Sequence, residues 1–351
     1  MPDVAVVGFA QTPCVRRTTG TTNGVEMLVP IFHEVLTGLG LTKGDIGFWC
    51  SGSSDYLAGR AFSFVSAVDA IGAFPPITES HVEMDAAWAL YEAWVKILTG
   101  EVDTALVYGF GKSSAGQLRR VMALQLDPYL VAPLWPDSIG LAGIQARLGL
   151  ESGQWSERDM AEVAARSRAD AMSNPHAQFA GEVDVEELLA RPYLADPLRS
   201  HDCAPITDGA AVVVLAADDR ARELCDRPAW ITGIEHRVDS PNLGGRDLTT
   251  SPSTVAAGKA AGADGVQVAE LHAPFTHQEI LLRQALGLGD EVRVNPSGGV
   301  LCGNPMFAAG LGRIGEAAKR VLTGEADRVL GHATSGPLLQ QNLVCVMEGR
   351  D

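Results

Sequence analysis

The sequence predicts an α/β protein made of two related halves, with a long segment inserted into the first half. The tripeptide Thr99-Gly100-Glu101 recurs as Thr323-Gly324-Glu325. In both places it follows an Ala-rich amphipathic segment and precedes an apolar run of strand length. A fainter pair, residues 45–51 and residues 265–271, occurs in the same order. Two repeated segments in one order indicate a single long-period duplication.

The elements of the two halves follow from apolar spacing. The run V-A-V-V-G-F-A at residues 4–10 predicts a buried first strand. Residues 85–98 predict an amphipathic helix, and the glycine after it suits a helix C-terminus before the next strand. Residues 306–322 repeat this pattern in the second half.

Residues 115–200 differ in composition from both halves. They are rich in Arg, Trp and Pro, and residues 156–172 have helical periodicity after a plausible N-cap serine. This segment is predicted to lie over the core as an insertion. Its arginines, Arg119, Arg120 and Arg147 among them, either receive an anionic ligand or balance nearby acidic residues on a solvated face. The predicted units are 1–114 (first half), 115–200 (inserted loop domain), 201–225 (return of the first half) and 226–351 (second half).

Charge and cysteine content exclude several classes of function. The net charge of −16 over 351 residues disfavours a nucleic acid or an anionic membrane as partner. The N-terminal apolar run is too short for a signal or membrane segment. The six cysteines lack the spacing of a zinc site or a disulfide framework, so we predict no metal and a cytoplasmic location.

Four segments carry a family resemblance. They are residues 171–179, residues 196–215, residues 269–279 and the loop N-P-S-G-G-V-L-C-G-N-P that begins at Asn295. With them the chain resembles the thiolase superfamily, and within it the sterol-carrier-protein-x type thiolases and the related lipid-transfer-protein aldolases. The resemblance implies the thiolase fold, which has duplicated βαβαβαββ halves in a five-layered α-β-α-β-α arrangement and an inserted loop domain.

The resemblance also identifies residues that differ from the thiolase pattern. Counting back along the helix places Glu83 where the family has its nucleophilic cysteine. Asn304 replaces the histidine of the family's G-H-P loop. The H-A-P-F element that begins at His272 has Pro274 in place of the second catalytic cysteine. Both catalytic sulfurs of the family are therefore missing.

Glu83, His272 and Asn304 are the candidate catalytic residues. The Asn304 amide can donate a hydrogen bond to a thioester or enolate oxygen but cannot take a proton. The resemblance implies that His272 donates to the same oxygen or holds a water. Glu83 is the candidate base, and burial would raise its pKa whereas a helix N-terminus would lower it. Further candidates are Cys302, His332, Tyr56 and Asp85.

The resemblance implies an acyl-CoA thioester as the ligand. Coenzyme A would then be part of the substrate, with no covalently bound cofactor. The candidate contacts with coenzyme A or the acyl group are Arg119, Arg120, Arg147, Ser297, Gly298 and Gly299.

This set of groups favours carbon–carbon cleavage without covalent catalysis. In a retro-aldol cleavage of a β-hydroxyacyl-CoA, a base removes the hydroxyl proton and the charge appears as a thioester enolate. Aldolases of this group employ tyrosines near the C-terminal Gly-rich loop, and residues 302–314 contain none. Two alternatives stay open: a catalytically silent thiolase-like subunit, and an atypical thiolase or acyltransferase that uses Cys302 or Cys50.

The resemblance implies protein partners as well. It implies a homodimer, or a heterodimer with a related thiolase-like chain, and the apolar residues 61–73 are a candidate contact. It further implies a small partner with a zinc ribbon and an OB-fold, and a role in steroid side-chain catabolism.

Overall fold

The computed structural model describes residues 1–19, 24–58 and 62–350, so part of the candidate dimer contact, residue 61, lies outside the described residues. The strands are β1 (Val4–Gln11), β2 (Phe48–Gly52), β3 (Glu79–Val82), β4 (Thr104–Lys112), β5 (Tyr193–Ala195), β6 (Leu198–Arg199), β7 (Ile206–Ala217), β8 (Ala229–Val238), β9 (Val268–Glu270), β10 (Arg293–Val294), β11 (Asn304–Pro305), β12 (Arg328–Ser335) and β13 (Gln341–Glu348). The helices are α1 (Gly24–Gly38), α2 (Asp55–Ala58), α3 (Ser63–Ile71), α4 (Ala86–Leu98), α5 (Leu118–Leu124), α6 (Ser138–Ser152), α7 (Glu157–Asp170), α8 (Val185–Leu189), α9 (Asp218–Leu224), α10 (Pro252–Ala261), α11 (Thr276–Ala285) and α12 (Ala309–Leu322).

The main sheet consists of two equivalent sets of five strands. One set has the order β3-β2-β4-β7-β1, and the other has the order β10-β9-β12-β13-β8. Each strand of the first set has its counterpart at the same place in the second. Strands β1 and β8 join the two sets, with Ala5 paired to Trp230 and Val6 to Ala229. This arrangement confirms the predicted duplication.

Helices cover both faces of each set of strands and give five layers. A central apolar core contains side chains of α4 and α12 together with strand residues of both sets. A second core lies between the first set and α1, where Leu28 and Phe32 are buried. A third lies between the second set and α10 and α11, which contribute Ala257 and Leu281. The five-layered α-β-α-β-α arrangement expected from the resemblance is confirmed.

The inserted segment follows β4 and precedes β7. It carries α5 to α8 and the short antiparallel pair of β5 with β6. Helix α7 begins after Ser156, whose hydroxyl accepts a hydrogen bond from the backbone N–H of Asp159, so the predicted N-cap is confirmed. The four unit boundaries stay predictions.

Strand β4 lies against the loop that precedes α12, and its glycines allow this close approach. A Cβ added to Gly111 would lie 2.1 Å from the carbonyl oxygen of Met306, and one added to Gly109 would lie 2.5 Å from that of Phe307. The loop backbone therefore occupies the space that larger residues in β4 would fill. This contact fixes the position of the loop that carries Asn304.

Replacing Gly111 by alanine should destabilise the protein, because the added methyl group would displace this loop. We expect the free energy of unfolding to fall by about 3 kcal/mol, as for an overpacked core. Urea denaturation measures the change. Gly116→Ala is the matched control, since a Cβ there meets nothing within 4 Å. Equal stability of the two variants would contradict the close approach of β4 and the loop.

Candidate active site

A cavity of about 680 Å³ opens where the loop before α12, the loop after β12 and the inserted segment meet. Among the candidates from the sequence, its lining includes Asp85, His272, Asn304, Tyr56 and Arg119. The rest of the wall is largely apolar, with side chains from α5 and α6. The cavity therefore joins a small polar end to a large apolar wall.

Asp85 lies at the N-terminus of α4 and is 3% exposed. Its Oδ1 accepts hydrogen bonds from the backbone N–H groups of Ala87 (2.9 Å) and Leu311 (3.0 Å), and its Oδ2 accepts one from that of Gly310 (2.9 Å). Gly310 and Leu311 belong to the first turn of α12. One carboxylate thus binds the first turns of two helices, one from each half of the duplication.

Asp85 is held close to the other polar groups of the cavity. The Oδ1 atom of Asp85 and the Cβ of Ala333 each lie 2.6 Å from the point where a Cβ on Gly310 would be. Ala333 precedes Thr334, whose backbone N–H points to Nδ1 of His272 at 3.4 Å. Asp85, Thr334 and His272 all line the cavity.

Two opposing effects act on the Asp85 carboxyl group. Burial raises its pKa above the ordinary value of 3.8, and the three backbone N–H groups lower it in part. A carboxylate with a raised pKa is a better proton acceptor than one in water. Because three of its four lone-pair positions accept N–H groups, one position on Oδ2 is left for a ligand.

His272 follows β9 and is 7% exposed. Burial lowers the pKa of its imidazole to about 3, with a further contribution from the nearby His332, and the Asn304 side chain acts in the opposite direction. The ring is therefore neutral at physiological pH. Because Nδ1 faces the N–H group of Thr334, the ring proton lies on Nε2. His272 is thus a hydrogen-bond donor rather than a base.

Asn304 lies in β11, which pairs with the start of β7 through Ile206. Its side chain lines the cavity with His272. Within the described residues, Oδ1 of Asn304 is buried and has no hydrogen-bond partner. A buried amide without a partner is costly unless a ligand or water completes its hydrogen bonds. Asn304 thus lies in the same cavity as His272, and its side-chain NH2 is the group that can donate to a ligand there.

Glu83 does not join them, contrary to our expectation that its carboxylate faces the cavity. It follows the last residue of β3, its side chain is 56% exposed, and it does not belong to the cavity lining. Its carboxylate accepts a hydrogen bond from the backbone N–H of Asp55 and lies 3.5 Å from Nε2 of His81. The physical reason is the turn between β3 and α4, which directs Asp85 inward and Glu83 to the surface.

The candidate cysteines do not line the cavity. Cys302 is buried and donates to the carbonyl oxygen of Ser167 at 3.3 Å, and burial raises its pKa to about 12. Cys50 lies within β2, and burial raises its pKa to about 12 as well. Cys203, which the sequence reasoning missed, does line the cavity. Burial raises its pKa to about 12, so its thiol is protonated at neutral pH.

The other catalytic candidates are less central. His332 is fully buried in β12, outside the cavity lining, and its Nε2 contacts Oδ1 of Asn342 at 3.1 Å. Burial lowers the pKa of its imidazole to about 4. Tyr56 lines the cavity from α2 and is 70% exposed, so it lies at the rim.

Ser297, Gly298 and Gly299 lie below the site rather than in its lining. The Ser297 hydroxyl donates to Oε2 of Glu270 at 2.7 Å, and that oxygen also accepts from Arg313 at 2.7 Å. Both glycines have left-handed backbones, with φ of 89° and 62°. Their place is in a buried turn that supports the strand leading to His272.

The candidate arginines divide into two groups. Arg119 lines the cavity and, with Arg120, also lines an adjoining open groove of about 620 Å³. Arg119 is 61% exposed at its side chain and lies 3.5 Å from a carboxylate oxygen of Asp137. Arg147 forms an ion pair with Asp196 and does not line the cavity.

Two further residues of the lining were missed in the sequence. The backbone N–H of Thr334 orients His272. Thr334 lies in the polar stretch G-H-A-T-S-G that follows an apolar run, and this pattern could have identified it as a site residue. Gln278 lines the cavity from α11, and no local pattern distinguishes it.

Among the described residues, no group of three or more His, Cys, Asp and Glu side chains could hold a metal ion. No helix in the same part of the chain is long and apolar enough to cross a membrane.

The burial of His277, which precedes the cavity residue Gln278, can be tested through the pH dependence of stability. It is fully buried, its Nε2 contacts Oε1 of Gln145 at 3.1 Å, and burial lowers its pKa from 6.5 to about 3. As pH falls below 6.5, the unfolded chain binds a proton that the folded protein does not, so the folded state loses stability. Between about pH 7.5 and about pH 5.5 the parental protein should lose about 1.4 kcal/mol relative to His277→Gln.

Urea denaturation at both pH values measures that difference. The control is His33→Gln, because His33 is exposed on α1. A difference between His277→Gln and the parental protein that does not change with pH would contradict the buried, neutral imidazole.

Several curated proteins are similar to this chain in sequence. No protein-family model matches the chain. The acetyl-CoA acetyltransferase of Methanothermobacter thermautotrophicus is 30% identical over 213 residues, covering 54% of this chain and 55% of that protein. Sterol carrier protein 2 of Homo sapiens is 26% identical over 283 residues, covering 68% of this chain and 51% of that protein. The chain thus spans about half the length of these curated relatives.

Solved structures agree over the whole chain. The Ltp2-ChsH2(DUF35) aldolase has a TM-score of 0.82 at 18% identity, covering 99% of this chain and 98% of that one. The chain has the fold of the thiolases. Human mitochondrial 3-ketoacyl-CoA thiolase has a TM-score of 0.81 at 15% identity, covering 100% and 99% of the two chains. These likenesses confirm the thiolase fold.

Proposed function

We propose that this protein, which has the thiolase fold, is an acyl-CoA carbon–carbon lyase that cleaves a β-hydroxyacyl-CoA by a retro-aldol reaction. The observation that carries the proposal is the content of the polar end of the cavity. It has one buried carboxylate, Asp85, and two hydrogen-bond donors, His272 and Asn304. A retro-aldol cleavage needs a base and an oxyanion site, and it needs no nucleophile.

The residues would act as follows. The thioester oxygen accepts hydrogen bonds from Nε2 of His272 and from the Asn304 amide. Asp85 removes the proton of the β-hydroxyl group. The bond between the α- and β-carbons breaks, the β-carbon becomes a ketone or aldehyde, and the electron pair forms the thioester enolate. The two donors stabilise the negative charge, which is larger on the oxygen in the transition state than in the substrate.

The cysteines support this choice over thiolysis. A thiolase needs a thiolate that attacks the acyl group. Cys302 and Cys50 do not belong to the cavity lining, and Cys203, which does, has its Sγ 3.6 Å from the carbonyl oxygen of Arg199 and a pKa raised to about 12 by burial. A thiol of this kind is a weak nucleophile at neutral pH.

The apolar wall supports a bulky acyl group. It includes Val121 and Met122 of α5, Ile139 and Leu141 of α6, and Phe275. A polycyclic, steroid-like acyl group would bury its hydrocarbon surface there at about 25 cal/mol for each Å² removed from water. The polar groups at the other end would hold the thioester and the β-hydroxyl group.

The groove lined by Arg119 and Arg120 is the proposed contact for the phosphates of coenzyme A. Replacing both arginines by alanine should raise KM for the acyl-CoA about fivefold with little change in kcat, because phosphate contacts bind substrate and transition state alike. Steady-state kinetics at low and high salt measure this. Arg158→Ala is the control, since Arg158 of α7 pairs with Glu186 of α8 and lines neither the groove nor the cavity. An unchanged KM would rule out the groove as the phosphate site.

Partners and location form part of the proposal. One solved structure of this fold is an Ltp2-ChsH2(DUF35) aldolase. By analogy, we propose that this chain works with a small zinc-ribbon and OB-fold partner, as a homodimer or a heterodimer with a related chain, in the cytoplasm. A role in steroid side-chain catabolism would follow from such an acyl group.

The deciding experiment offers the protein two kinds of substrate. One is a set of β-hydroxyacyl-CoA thioesters with linear, cyclohexyl and steroid acyl groups, and the other is a set of β-ketoacyl-CoA thioesters with free coenzyme A. The chain is assayed alone and with a co-expressed zinc-ribbon and OB-fold protein. Release of a ketone or aldehyde without coenzyme A supports the lyase. Cleavage that depends on coenzyme A would indicate a thiolase, and no cleavage in any arm would indicate a silent subunit.

A further inference from the structure

Of the described residues that line the cavity, only Asp85 has a carboxylate side chain. The retro-aldol reaction needs two proton transfers, one from the β-hydroxyl group and one to the α-carbon of the enolate. The question is therefore whether another titratable group of the lining supplies the proton that the α-carbon takes up.

None of these other groups is suited to the second transfer. His272 is neutral and donates from Nε2 to the oxyanion, so a transfer from it would remove the donor that stabilises the charge. Cys203 holds its proton against the carbonyl oxygen of Arg199. Tyr56 lies at the exposed rim, and Arg119 is a cation beyond it.

The geometry of Asp85 suits both transfers. Its free lone-pair position is on Oδ2, because Oδ1 accepts two backbone N–H groups and Oδ2 accepts one. A proton taken there from the β-hydroxyl group stays next to the substrate after the carbon–carbon bond breaks. In the substrate, the α-carbon is two bonds away from the oxygen of the β-hydroxyl group. The same carboxyl group can therefore reach both atoms.

We propose that Asp85 is the single proton carrier of this site, and that the protein therefore exchanges α-protons of a short acyl-CoA with solvent without any second substrate. The inference rests on the proposed function, because it takes the released acyl-CoA as its substrate. The Asp85 carboxylate takes one α-proton, the C–H electron pair forms the enolate double bond, and the oxygen is held by His272 and Asn304. The carboxyl group exchanges its proton with solvent and returns a solvent proton to the same carbon, so no oxidant or reductant is consumed.

A single carrier has a stereochemical consequence. A carboxyl group on one side of the enolate plane reaches only one of the two α-hydrogens of propionyl-CoA. The methyl hydrogens of acetyl-CoA become equivalent by rotation, so all three can exchange. In deuterium oxide, propionyl-CoA should therefore gain one deuterium and stop, whereas acetyl-CoA should gain up to three.

Mass spectrometry of both thioesters, incubated with the full chain in deuterium oxide, tests this inference. We expect exchange at least about 100-fold above the protein-free rate, in line with general base catalysis. Gain of two deuteriums by propionyl-CoA would overturn the single carrier. Asp85→Asn should reduce exchange to the protein-free rate, and Asp184→Asn, which changes the cap of α8 away from the cavity, should not. Exchange that persists in folded Asp85→Asn would overturn Asp85 as the proton carrier.

Cleavage of β-hydroxyacyl-CoA is measured in parallel, so the two proposals can fail separately. Cleavage without exchange would overturn the single carrier and leave the lyase. Exchange without cleavage would support the carrier and overturn the lyase. If Asp85→Asn does not fold, the one-deuterium limit on propionyl-CoA with the parental protein still decides the inference.

Discussion

Replacing Asp85 by asparagine should lower kcat/KM for β-hydroxyacyl-CoA cleavage about 1,000-fold, as expected when a general base is removed. The amide has nearly the same shape as the carboxylate and can still accept hydrogen bonds from the first turn of α4. It cannot take a proton. Steady-state kinetics with the best thioester of the substrate set measure the loss.

The pH dependence of cleavage by the parental protein provides a second readout for Asp85. Because burial raises its pKa, the carboxyl group becomes protonated at a higher pH than an exposed aspartate would. Cleavage should therefore decline with falling pH along a single ionisation whose midpoint is above 3.8. Asp184→Asn is the matched control for a changed helix cap. A folded Asp85→Asn variant with more than a tenth of parental activity would remove Asp85 from the mechanism.

Replacing His272 by alanine should lower kcat about 300-fold with a much smaller effect on KM, because an oxyanion donor acts mainly in the transition state. Nε2 of His272 is the donor, and the N–H group of Thr334 fixes its tautomer. His272→Gln should restore part of the activity, since its side-chain amide can donate to the same oxygen. A purely structural role for His272 would not predict such a rescue.

The matched control for this prediction is His33→Ala, which removes an exposed imidazole from α1. Circular dichroism and thermal denaturation establish that each variant is folded. If His272→Ala raised KM and left kcat unchanged, His272 would bind the substrate without stabilising the enolate. The oxyanion site would then have to rest on Asn304 alone.

The fold was predictable because a duplication gives the same signal twice. Thr99-Gly100-Glu101 and its repeat follow α4 and α12, which are the two helices of the central layer. A repeated helix, turn and strand restricts the topology far more than one copy would. The five-layered arrangement came from the family resemblance, and three separate apolar cores agree with it.

The site was only partly predictable. Which side chain points into the cavity depends on the residue at which a strand ends and the residue at which the next helix begins. His272 and Asn304 lie together in the cavity, as the sequence indicated. Glu83 and Asp85 are two residues apart, and residue counting favoured Glu83. The inward position of Asp85 depends on hydrogen bonds to Gly310 and Leu311, more than two hundred residues away in the chain. No local pattern encodes such a contact.

Asymmetry of function in a symmetric fold can be traced to a single position. Helices α4 and α12 are counterparts, yet α4 has Asp85 at its N-cap and α12 has Ala308, which offers no capping side chain. The acid from the first repeat therefore satisfies amides of both repeats. A side chain at position 308 that capped α12 would compete for two of the three backbone N–H groups that Asp85 binds, and would thereby leave its carboxylate with more free lone pairs.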